Sequence, residues 1–76
     1  MKCIYEVRYE MQWRSSEPSH WEPQSVKVCV GPDAQEAVDR ARAAALAQAR
    51  IDDNGSEERC TGFRLREVVL VAEAQL

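Results

Sequence analysis

Apolar and polar residues alternate without a break from Lys2 to Trp13. Cys3, Tyr5, Val7, Tyr9, Met11 and Trp13 fall on one parity, and Lys2, Ile4, Glu6, Arg8, Glu10 and Gln12 on the other. A period of two sends successive side chains to opposite sides of an extended chain, so the stretch predicts a strand with one buried and one wet face. Ile4 is its single misfit. At about 3.3 Å per residue the strand reaches about 40 Å, longer than any other element the pattern offers, and this makes it the central strand.

The alternation lapses over Arg14 to Pro23, where two prolines and three serines predict a connection that also holds His20 and Trp21. It is long for a hairpin, and long loops are the more frequent carriers of function. Gln24 to Val30 reads as a second strand, with Val26, Val28 and Val30 facing in and Ser25, Lys27 and Cys29 facing out. Gly31-Pro32 stops it, and Asp33 with Glu36 has the spacing of a capping box. A helix is expected from Ala34 to Ile51. Ala34, Val38, Ala41, Ala45 and Ala49 share one arc of it, flanked by Ala37 and Ala44, and this face belongs on the sheet. Glu36 with Arg40 and Asp39 with Arg42 are spaced to pair on the far side, while Leu46 lies off the core arc. Asn54-Gly55 ends the helical segment with residues that tolerate positive φ.

A last strand is expected from Gly62 to Ala72, and here the parity changes midway. Phe63 and Leu65 lie on one parity, Val68 and Leu70 on the other. A bulge near Arg66-Glu67 restores a single buried face of Phe63, Leu65, Val68 and Leu70, leaving Val69 and Val71 on the open face. The expected fold is therefore α+β in the order β-β-α-β: one domain spanning 1–76, a three-stranded antiparallel sheet ordered 2-1-3, and one helix packed on one face.

Composition narrows the function. An apolar fraction of 45% with 30% charged residues suits a folded domain. No apolar run is long enough for a bilayer, and the first residues lack the apolar core of a signal peptide, so the expectation is a cytoplasmic protein without membrane contact. Net charge is -3 with the basic residues scattered singly, which weighs against direct nucleic-acid binding. Cys3 and Cys29 point to opposite faces and cannot meet disulfide geometry, so the three cysteines read as thiols. One histidine and scattered cysteines make no tetrahedral metal set, and no glycine-rich phosphate loop is present; no cofactor is expected. A Cys60–His20 nucleophile lacks a group to orient the imidazole, and the expectation is a protein that is not an enzyme.

In the expected topology the loops 14–24 and 52–61 meet at one pole. They gather Glu17, Glu22, Asp52, Asp53, Glu57 and Glu58 around Trp13, His20 and Trp21, against Arg14, Arg50 and Arg59. Acidic groups with tryptophan anchors suit a protein partner with a basic surface, so Trp13, Glu17, Trp21, Glu22, Asp52, Asp53, Glu57 and Glu58 form the expected contact set. The alternative is a homodimeric structural or adaptor module associating through Val69, Val71 and Leu46, since a strand apolar on both faces needs a cover.

A short acidic chain that closes a valine strand with Gly31-Pro32-Asp33 before an alanine- and arginine-rich helix resembles small orphan proteins of bacteriophages and mobile elements. Among these it is similar in size and character to anti-CRISPR proteins. That resemblance implies an inhibitor of a nucleic-acid-handling complex that occupies a basic surface inside the bacterial host cell.

Overall fold

The computed structural model describes residues 1–74 and contains β1 (Lys2–Trp13), β2 (Glu22–Val30), α1 (Ala34–Leu46), β3 (Ala49–Ile51) and β4 (Glu57–Ala74). The class is α+β with one helix, and the sheet has four strands in the order β2-β1-β4-β3 rather than three. Every pairing is antiparallel, and β1 lies between β2 and β4 as its length requires.

The added strand comes from the end of the expected helix. Alanine favours helix wherever nothing competes, so Ala47 and Ala49 read as a continuation. In the structure α1 stops at Leu46, with the Ala47 amide donating to the Ala43 carbonyl and the Gln48 amide to the Ala45 carbonyl. Ala49–Ile51 then pairs with Glu57–Arg59 across a tight loop. Asp52 closes that loop by accepting from the Asn54 and Ser56 amides at 2.9 and 2.8 Å, and Gly55 supplies a φ of 80°. The acidic residues that sat badly with a helix C-terminus thus belong to a hairpin instead.

At the other end of α1 only half of the capping box forms. The Asp33 carboxylate accepts from the Gln35 amide at 3.0 Å. The Asp33 amide donates to the Gly31 carbonyl at 2.7 Å, which occupies the donor that Glu36 would have reached, and Glu36 pairs with Arg40 at 3.0 Å. Ala37, Val38, Ala41 and Ala45 are buried on the sheet, whereas Ala44 is exposed and Ala49 has left the helix.

Strand β4 carries the parity change as a bulge. Its register against β1 slips by one residue at Arg66, and also at Thr61 and Val71, so that Phe63, Leu65, Val68 and Leu70 oppose Met11, Tyr9, Val7 and Tyr5 on the helix side. The core is formed by Val7, Tyr9, Met11, Trp13, Val30, Ala37, Ala41, Ala45 and Cys60. A helix of this length is about 20 Å long, against a molecule extending 47 Å. It leaves Val26, Leu65 and Leu70 on its own side of the sheet 37%, 42% and 49% exposed. Cys3, Cys29 and Cys60 are free thiols, Cys29 on the open face opposite Ile4. No helix among the described residues is long and apolar enough to cross a membrane.

Two outcomes follow from this core. Met11 is 1% exposed beneath the helix, so Met11→Ala should lower unfolding free energy in a urea titration by about 2–5 kcal/mol. Burial, reinforced by the nearby Cys60 thiol, holds the Tyr9 phenol above the ordinary tyrosine value. A folded pKa above the unfolded one means that this contribution is complete below about pH 10 and is lost as pH rises through the folded value. Tyr9→Phe should therefore flatten the alkaline fall in stability.

Candidate functional site

The strand ends at one extremity of the sheet are joined by a single arginine. Trp13 closes β1 with its ring 5% exposed on the helix side, and its indole Nε1 donates to Glu22 Oε2 at 3.0 Å. Glu22 opens β2 opposite Met11, which puts its carboxylate on that same side. Arg50, in the middle of β3, lays its guanidinium over the Trp13 ring with 4.1 Å to the centroid. It pairs with Glu58 Oε1 from β4 and with Glu22 Oε1 at 3.3 Å. One cation thus ties three strands together above an aromatic ring, an arrangement in which ion pairing and cation–π attraction reinforce each other. The Glu58 hydrogen bond is the main reason that the Arg50 pKa rises, with further support from the charge of Glu22.

Both loops reach this end. The Arg14 amide donates to the Arg59 carbonyl at 2.9 Å, and Ser15 shares a cleft with Arg50, Ile51, Asp52, Asp53 and Glu58. The long loop is held by the Gln12 amide, which donates to the Pro18 carbonyl at 2.6 Å, and by the His20 amide, which donates to the Glu17 carbonyl at 2.9 Å. His20 itself is exposed, 3.8 Å from Glu22.

The two tryptophans part company. Trp21 crosses to the open face, where its ring stacks against the Arg64 guanidinium at 4.3 Å and lies on Gly62. A Cβ at Gly62 would stand 3.0 Å from the Trp21 ring and 3.1 Å from Gln12 Cβ, so a larger residue there would push the indole back by a few tenths of an ångström. Trp13 is consumed by the core, and the paired tryptophan anchor expected at the pole is not assembled.

The carboxylates divide in a similar way. Glu22 and Glu58 are bound to Arg50, and Glu57 pairs with Arg59 at 2.9 Å. Asp52 spends one oxygen on its own turn. Glu17 and Asp53 are exposed without an ion-pair partner among the described residues. Glu58 is 5% exposed, and its Oε2 has no hydrogen-bond partner. Buried oxygens without partners are rare because desolvating them is costly.

Leu46, Val69 and Val71 do not form one surface. Leu46 lies on the helix, 44% exposed, whereas Val69 opposes Glu6 on the other side of the sheet, and Val71 is the bulged residue next to it. Sequence reasoning missed Arg50 as the organising residue because it placed Arg50 inside a helix. The legible signal was its mirror relation to Glu58 across the Asp52–Ser56 turn.

Comparison with known proteins finds no match to a family, to a curated protein or to a solved structure. Removing the Arg50 cation strands the buried Glu58 carboxylate, whereas replacing both members with leucine removes the mismatch. Arg50→Ala should accordingly lower the urea midpoint further than Arg50→Leu combined with Glu58→Leu, despite the smaller number of changes.

Proposed function

We propose that the chain is a small non-enzymatic binding protein whose acidic end receives a lysine or arginine side chain from a basic protein surface. The observation that carries this reading is Glu58 Oε2, a buried carboxylate oxygen without a partner on a residue that lines the cleft with Asp52 and Asp53. The oxygen is sealed from solvent, so an ammonium or guanidinium group reaches it by displacing the side chains that cover it and then satisfies it with a charge-assisted hydrogen bond. The cleft measures about 430 Å³, ample for one long side chain. Arg50 lines it as well, but Glu22 and Glu58 share that charge, and Asp52 and Asp53 keep the mouth negative.

The contact set is narrower than the sequence alone suggests. Asp52, Asp53 and Glu58 surround the entering cation, Glu17 adds long-range attraction from the neighbouring loop, Trp13 and Glu22 support the end from within, and Glu57 stays on the surface paired with Arg59. Surfaces that carry closely spaced lysines and arginines are characteristic of proteins that handle nucleic acids, because they neutralise phosphates. The resemblance to small phage inhibitors points to the same class of partner. Inhibition would then be occlusion of a phosphate-binding surface, steered by charge and weakened by salt.

Titration with an oligolysine peptide, followed by amide chemical shifts, tests the reading. Shifts concentrated at Ser15, Asp52, Asp53 and Glu58, reduced in Glu58→Gln and in Asp53→Lys, are expected. Equal shifts around Glu6, Glu36 and Glu67 would mean diffuse attraction to net charge and would overturn it.

A further inference from the structure

Among the described residues no strand pairs with the outer edge of β4 beyond Arg59: β1 occupies one side, and β3 covers only Glu57–Arg59. An open edge of this length is a template for another strand. We propose that its occupant is a second copy of this chain, with the two β4 strands pairing antiparallel about a two-fold axis between Arg66 and Glu67.

The bulge at Arg66 is what makes this register work. In a regular strand, a two-fold axis can set opposite each other only residues an even number apart, because side-chain direction alternates. The residue inserted at Arg66 shifts that parity. Across an axis at this point Leu65 meets Val68 of the second copy, and Phe63 meets Leu70, all four on the helix side. On the open side Arg64 meets Val69. The sequence around Arg66-Glu67 is therefore a palindrome in which each face matches itself, as an isologous contact demands.

Charge supports the same occupant. An edge guarded by a single sign repels its own copy, which is how many exposed strands are kept apart. Here the two residues beside the axis carry opposite signs, so Arg66 of each copy faces Glu67 of the other. The Arg66 side chain is 64% exposed and 3.5 Å from Glu10, a loose contact, while Glu67 is 55% exposed and uses one oxygen on Arg8 at 2.8 Å, leaving the other for the second copy. The remaining slips, at Thr61 and Val71, fall at the two ends of this stretch and would terminate the pairing there. Leu65 and Leu70, 42% and 49% exposed because the helix is too short to reach them, would gain a cover between the two helices. Both helices would lie on the same face of one continuous sheet.

A charge exchange tests the pairing independently of the acidic end. Sedimentation velocity up to roughly 0.5 mM should show a dimer of modest affinity, in keeping with a small interface. Arg66→Glu alone or Glu67→Arg alone places like charges opposite each other at both symmetry-related positions and should weaken dimerisation about tenfold. Mixing these two variants restores opposite signs at both positions, so the mixture should associate as the unaltered chain does, and that recovery also shows that each variant is folded. A monomer throughout the concentration range, or single variants that dimerise undiminished, would overturn the proposal.

Discussion

The constraint on which this structure turns is a mismatch of lengths. The central strand and its partner β4 run the length of the molecule, whereas the helix that must close the core is less than half as long. Its alanines let the backbone lie close to the sheet, so the volume beneath it is filled by Val7, Tyr9, Met11 and Val30 from the strands. In a chain of this size there is little apolar surface to spare. What the helix does not cover must be closed by other means or left to solvent, and both solutions are present.

At the loop end the closure is polar. Arg50 lies over Trp13 and pairs with both Glu22 and Glu58, so the core is sealed at this end by a guanidinium above the indole. A hydrophobic seal of the same size would be at least as stabilising, since burying charge offsets much of its Coulombic gain. The polar version has another property, namely that it fixes which strands meet. Arg50 finds both carboxylates only when β2, β3 and β4 have arrived in the right order. Farther along β4 the helix offers no cover, and Leu65 and Leu70 remain half exposed.

Much of this organisation was legible in the residues. The alternation of Lys2 to Trp13 identified the central strand and its buried face because burial on one side leaves a period of two that nothing else imitates. The parity change between Leu65 and Val68 placed a bulge at Arg66, where the register does slip. Val26, Val28 and Val30 faced the helix side as expected, although coverage fades toward Val26. Other features turned on competition between near-equal local preferences. Ala47 and Ala49 favour helix intrinsically, and the strand at Ala49–Ile51 is decided by pairing with Glu57–Arg59, which no local window contains. Loop conformation was likewise invisible: nothing in the order Ser19-His20-Trp21 says that the indole crosses to the open face, since that depends on Gly62 and Arg64 from the far end of the chain.

The pairing of Lys2 with Ala74 and of Trp13 with Cys60 means that the first strand finds its second neighbour only among the last residues. Contacts of such wide separation require a large loop to close before they return any stabilisation, and chains dominated by them fold slowly for their size. On a ribosome, the β1–β2 hairpin and the helix would emerge with the inner flank of the sheet still waiting for β4. Until that strand arrives, Val7 and Met11 have a helix above them and β2 on one flank but nothing on the other, an interval in which the growing chain has most to gain from a chaperone.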